Sequence, residues 1–89
     1  MFEWDEAKNR ANIAKHGVSF ERARRIFEGR VVTWVDARRA YGEVREISIG
    51  FVDGVLLLAV VHTVRSGNIR IISARPAKRK ERKLHDEQV

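Results

Sequence analysis

Residues 43–75 read "EVREISIGFVDGVLLLAVVHTVRSGNIRIISAR", and the fold turns on this stretch. Its first part alternates, with Arg45, Ile47, Ile49 and Phe51 on one side and Glu46, Ser48 and Gly50 on the other, the period of a strand. Asp53-Gly54 tolerates positive φ and marks a hairpin. "VLLLAVVHT" (55–63) is apolar on both faces, as a central strand is, "RSGN" (65–68) forms the next turn, and "IRIISAR" (69–75) is the last strand. Strands joined by such short turns predict an antiparallel meander.

Working upstream, "VVTWVDA" (31–37) reads as a fourth strand, with Val31, Thr33 and Val35 on one face, and Arg38 to Gly42 as a loop. Before it lie two helices. The first is capped by Asp5 and stopped by Gly17, with Lys15 and His16 against its negative end and Ala7, Ala11, Ile13 and Ala14 as its apolar residues. The second, capped by Ser19, carries Phe20, Ala23, Ile26 and Phe27 as a stripe and ends at Gly29, with Val18 as a staple. Phe2 to Trp4 fits a short edge strand. Downstream, Pro76 sits where helices accept proline in the first turn, and a charged helix follows over 77–86. The expectation is a single α+β domain over residues 1–89: two N-terminal helices on one face of a 3–4-stranded antiparallel meander sheet, then a basic C-terminal helix.

Composition narrows the function. A chain of 89 residues, 44% hydrophobic and 34% charged, has enough apolar side chains for a core. Cysteine is absent and three scattered histidines offer no metal-ligand spacing, so no metal or other cofactor is expected. No apolar signal segment opens the chain, and the longest apolar run, Val55 to Val61, is too short to span a bilayer; a soluble cytoplasmic protein is expected. The formal net charge is +6, and from Arg75 to Lys83 six basic residues accompany one acid. Such clustering marks a surface for a polyanion or an acidic protein. Arg70 and Arg75 have opposite parity on the last strand, which predicts that only one of them shares a given sheet face.

Two stretches, "FEWDEAKNRANIAKHGVSFERA" (2–23) and "RIISARPAKRKER" (70–82), resemble the BrnT family of toxins from bacterial type II toxin–antitoxin systems. The "KHGVSF" segment, the Arg-x-Ile-Ile-Ser-Ala-Arg strand and the Arg-x-Glu-Arg helix carry the likeness in combination. The resemblance implies a RelE-like fold, ribonuclease activity that inhibits translation, and neutralisation by a BrnA-like antitoxin. That antitoxin would bring a ribbon-helix-helix DNA-binding domain, so that DNA is contacted mainly through it, with a toxin homodimer inside a heterotetramer. The chain departs from the family pattern at His62 and Val64, where a Tyr and an acid are frequent, at Pro76, where a Lys is frequent, and at His85, where an aromatic is common.

RNA cleavage without a metal uses the neighbouring 2′-hydroxyl as nucleophile and needs cations to hold the phosphorane charge, a task that suits the planar fork of arginine. The expected catalytic residues are Arg65, Arg75, Arg79, Glu81 and His62, and the expected RNA contacts are Arg70, Lys78, Arg82 and Lys83. Arg65 and Arg75 should stand about 15 Å apart along the sheet at ~3.3 Å per residue. Glu81 reads either as general base or as an ion-pair partner. His62 has the titration range for acid–base work, yet its parity with Leu56, Leu58 and Val60 fits a core histidine equally. His85 allows a similar role, His16 reads as a helix-end cap, and Trp4 and Trp34 as core or partner contacts. The guanidinium groups clustered where the last strand meets the C-terminal helix are expected to share a basin for phosphate, while Arg65 and Arg75 need not grip the same one. The competing reading is a non-enzymatic basic module that docks an acidic protein or nucleic acid.

Overall fold

The computed structural model describes residues 1–37 and 42–88; most of the loop expected between Arg38 and Gly42 lies outside them. Five strands form one sheet in the order β1-β5-β4-β3-β2: β1 (Phe2–Glu3), β2 (Val32–Val35), β3 (Glu46–Val52), β4 (Leu56–Arg65) and β5 (Asn68–Pro76). The meander β2 to β5 is antiparallel, whereas β1 adds to β5 in parallel, pairing Phe2 with Ile69 and Glu3 with Arg70. The sheet is therefore mixed and five-stranded rather than a 3–4-stranded antiparallel meander. Both hairpins use the expected turns. Asp53 (φ 55) and Gly54 (φ 69) join β3 to β4, and Ser66 (φ 51) and Gly67 (φ 80) join β4 to β5, the paired positive φ that matches strand twist.

Among the described residues three helical elements flank the sheet: α1 (Glu6–His16), α2 (Phe20–Ala23) continuing as a 3-10 helix over Arg24–Glu28, and α3 (Arg79–Gln88). The second expected helix thus tightens after its first turn. Caps behave as the sequence predicts. Asp5 accepts from the backbone N–H of Ala7 and Lys8, and Gly17 adopts the left-handed conformation that closes α1. Pro76 differs from expectation: it ends β5 opposite Leu58 instead of opening a helix, and the next N–H, of Ala77, bonds Leu57 O at 2.9 Å. A strand end tolerates a missing donor.

The main core lies between α2, the 3-10 segment and one sheet face. Phe20, Ala23 and Ile26 pack on Val52, Leu58, Val60, Ile71 and Ala74, with Phe2, Trp4 and Phe27 at the margin. Gly50 makes this approach possible, since a Cβ there would sit 2.9 Å from Val31 Cγ1 and 3.1 Å from Ile26 Cβ. The small, polar side of β3 is therefore the side that the helices cover. The opposite face holds Ile47, Ala59 and Val61 with Trp34 and Ile72, and α3 covers its β2–β3 end, where the His85 ring meets Phe51 edge-on at 5.3 Å.

Helix α1 overturns a second expectation. Its alanines and Ile13 are exposed, and its buried residues are Asn9 and Asn12. Asn12 Nδ2 donates to Val18 O and Ala74 O, each at 2.8 Å, while its Oδ1 accepts from Ala74 N–H at 3.1 Å. Asn9 Oδ1 accepts from Phe20 N–H at 2.9 Å. The helix is thus tied to the edge of β5 by Asn12 and to the start of α2 by Asn9, amides that complete backbone hydrogen bonding, a use of polar residues that an apolar-periodicity argument passes over.

Candidate functional site

The register of β4 against β5 decides where the arginines point. Val61 faces Ser73 but His62 faces Ile71, so Ile72 is an extra residue, a bulge. The bulge reverses parity. Arg70 opposes Thr63 and Arg75 opposes Ala59, so both arginines project from the same face, the one shared with Ala59, Val61 and Thr63, contrary to the parity reading. Arg65, opposite Asn68, lies on this face too. Arg65 stands six residues along β4 from Ala59, the partner of Arg75, about 20 Å at ~3.3 Å per residue.

The same face does not gather these guanidinium groups into one basin. Arg65 pairs with Glu43 at 3.5 Å, and Arg70 pairs with Glu3 at 2.7 Å. Arg75 forms a fork with Glu81, Nη1 to Oε1 at 2.7 Å and Nη2 to Oε2 at 2.8 Å. Three separate carboxylate-supported arginines stand along this face.

The Arg75–Glu81 fork is the most constrained of the three. The two side chains are only 23% and 13% exposed, so their hydrogen bonds are stronger than those of a surface pair. Glu81 Oε1 also accepts from Lys78 N–H at 2.8 Å, the returning half of a capping box at the start of α3. One carboxylate therefore fixes the end of β5 to the first turn of α3. The bonds from Arg75 hold the Glu81 carboxyl below its ordinary 4.5, with burial opposing. An ionised carboxylate with three donors on it is a weak base and a good positioner.

The cations left without a carboxylate lie beside this junction. Among the described residues Lys78, Arg79 and Lys80 have no acid within ion-pair reach, and all three are exposed. Arg82 extends over the Phe51 ring, 6.0 Å from its centroid, and Lys83 reaches Glu87 only at 4.0 Å. The inward side of α3 is formed by Glu81, Leu84 and His85. His85 is buried at the sheet, its Nε2 3.5 Å from Arg30 O.

His62 lies on the opposite, helix-covered face. It is 4% exposed, its Nε2 is 2.7 Å from Ser48 Oγ, and Ser48 Oγ is 2.7 Å from Thr33 Oγ1. The edge of Phe27 meets its ring at 5.2 Å, and among the described residues Nδ1 has no hydrogen-bond partner. Desolvation pushes the imidazole below its ordinary 6.5. The structure separates His62 from every arginine of the candidate set by the thickness of the sheet. Among the described residues no three His, Asp or Glu side chains gather to hold a metal ion, and no helix is long and apolar enough to cross a membrane.

Comparison with known proteins bears on the family of the chain. Residues 4–81 match the family model described as "Ribonuclease toxin, BrnT, of type II toxin-antitoxin system". The crystal structure of the Brucella abortus ribonuclease toxin BrnT is similar to the chain with a TM-score of 0.64 at 31% identity, covering 89% of this chain and 99% of that one. No curated protein sequence matches. A family match over most of the chain, from Trp4 through Glu81, and a solved relative of almost the same extent lead to one conclusion: the chain belongs to the BrnT family of ribonuclease toxins from type II toxin–antitoxin systems.

Proposed function

We propose that the chain is a metal-independent endoribonuclease that cleaves RNA at the β5–α3 junction and thereby inhibits translation in the cytoplasm. The observation that carries this reading is the Arg75–Glu81 fork flanked by Lys78, Arg79 and Lys80, which form no ion pair among the described residues. A scissile phosphate at this junction meets a guanidinium whose orientation is already set, so little reorganisation is needed as negative charge builds. The 2′-oxygen attacks the adjacent phosphorus and the bond to the 5′-oxygen breaks. The products are a 2′,3′-cyclic phosphate and a 5′-hydroxyl, with solvent taking the first proton and returning the second. Arg75 and Arg79 hold the phosphorane oxygens. Glu81 is a positioning residue. Lys78, Arg82 and Lys83 hold flanking phosphates, Arg65 and Arg70 lie further along the strand, and His62 takes no part. The helix-and-meander arrangement with a basic helix after the last strand supports grouping the fold with the RelE-like ribonucleases.

The partner follows from the family and from charge. An acidic BrnA-like antitoxin with a ribbon-helix-helix domain would cover the basic junction, stabilise a small domain by linkage, and carry the DNA contact in a heterotetramer. The experiment is cleavage of RNA by the purified chain in excess EDTA. Cleavage that leaves a cyclic phosphate and spares a 2′-deoxy linkage is expected; loss of activity in EDTA, or cleavage of the deoxy linkage, contradicts the mechanism. A second reading is supported by the carboxylates on Arg65, Arg70 and Arg75: a binding module that holds RNA and leaves it intact, which the same assay detects.

A further inference from the structure

We propose that Lys8 and Lys15 of α1, with Ser73 of β5, form a second phosphate-binding subsite that extends the RNA path away from the β5–α3 junction. The inference rests on the ribonuclease reading above and adds residues that lie far from the junction in sequence. A groove of about 240 Å³ runs between α1 and the bulged part of β5. Lys8 and Lys15 line one wall with Ala11 between them, and Ile72 and Ser73 form the other. The two lysines are seven residues apart, two helical turns or about 10 Å along the axis, with Ala11 too small to block the floor.

Three observations point to an anionic ligand. Among the described residues neither lysine has an acid within ion-pair reach, in contrast to Arg65, Arg70 and Arg75. The Ser73 side chain has no hydrogen-bond partner among the described residues, so its hydroxyl is free to donate. Ser73, opposite Val61, shares the face of Arg75, opposite Ala59, two residues and about 7 Å along the strand. The groove wall therefore leads into the fork, and beyond it to Lys78 and Arg79. Cations spaced along a groove fit the repeating charge of a single strand better than one compact anion. Asn12 fixes the groove's width by binding the backbone of Ala74 from α1.

The test is titration of a short 2′-O-methyl oligoribonucleotide, which cannot be cleaved, at several salt concentrations against the full chain and two double variants. Lys8→Gln with Lys15→Gln removes the groove charges. Arg10→Gln with Arg22→Gln removes two exposed cations, Arg10 lying on the far side of α1. With ~0.7 counterions released per phosphate contact on a single strand, the groove variant should lose about 1.4 from the slope of log affinity against log salt, and on the order of 10–100-fold in affinity at 50 mM salt. In cleavage, its KM should rise while kcat is held. An equal slope change in both variants overturns the groove and leaves the ribonuclease reading standing. A groove variant that binds the oligoribonucleotide normally but loses binding to poly-glutamate also overturns it, in favour of an acidic protein. A wild-type chain that neither binds nor cleaves RNA overturns both readings.

Discussion

Replacing Asn12 with Ala should destabilise the fold more than any apolar truncation on the same helix. The Asn12 amide satisfies Val18 O, Ala74 O and Ala74 N–H, and it is 7% exposed. Its removal leaves three backbone groups without their partner in a place where water enters poorly. At ~1 kcal/mol for each lost bond, and more for any group left buried and unsatisfied, the cost is about 3 kcal/mol. A domain of this size has ~5–10 kcal/mol in total, so the melting temperature should drop by more than 10 °C. Ile13→Ala is the control: Ile13 is 42% exposed, and truncation there should cost less than ~1 kcal/mol. Urea unfolding of both variants, with m unchanged from wild type, gives the comparison. A larger loss for Ile13→Ala than for Asn12→Ala would refute the amide-tethered helix and restore the amphipathic one.

Other expectations follow from the same geometry. Glu81→Gln should cost about 2 kcal/mol, between a surface pair and a fully buried one, and should lower the cleavage rate without changing the shape of its pH profile, because Glu81 positions Arg75 and carries no proton; a lost ionisation in the profile would make it a base. His62 gives a defined pH dependence. Its folded pKa lies below 6.5, so the unfolded chain binds the proton more readily, and stability should decline as pH falls below about 6.5, a slope that His62→Gln removes in urea titrations. Glu81, also depressed, adds stability that is present above 4.5 and lost as pH falls below it. Gly50→Val should destabilise by at least ~1–3 kcal/mol through overpacking, since even the first added carbon lies 2.9 Å from Val31 and 3.1 Å from Ile26; an unchanged midpoint in urea would contradict the close approach.

Strands β3 to β5 were readable because the evidence for them is local: alternation, an Asp-Gly turn and a Ser-Gly turn. The caps at Asp5, Ser19 and Gly17 were readable for the same reason. What escaped the sequence depends on pairing between distant segments. The bulge at Ile72 leaves no residue signature in an Ile-Ile pair, yet it places Arg70 and Arg75 on one face. Glu3 meets Arg70 across the parallel β1–β5 contact, which no spacing rule predicts. Glu81 was within reach of local reasoning, standing three residues after Lys78 and six after Arg75, and the structure gives it the ion-pair role instead of leaving it free as a base. Asn9 and Asn12 were missed because polar residues at helical spacing usually mark a solvated face. Val31 and Thr33 turn toward the helices, as their shared parity suggests, with Thr33 bonded to Ser48.

The most direct test of the account is single-turnover cleavage of RNA by Arg75→Ala compared with Arg70→Ala, each confirmed as folded by its unfolding transition. Both arginines lie on one strand and one face, and both hold a carboxylate at 2.7 Å, but only Arg75 stands at the turn into the basic helix. The account predicts a loss of at least ~100-fold for Arg75→Ala, the scale seen when a preorganised charge-stabilising donor is removed, and a loss of less than about tenfold for Arg70→Ala. Equal rates in the two variants, or wild-type cleavage by Arg75→Ala, would contradict the placement of the reaction at the β5–α3 junction.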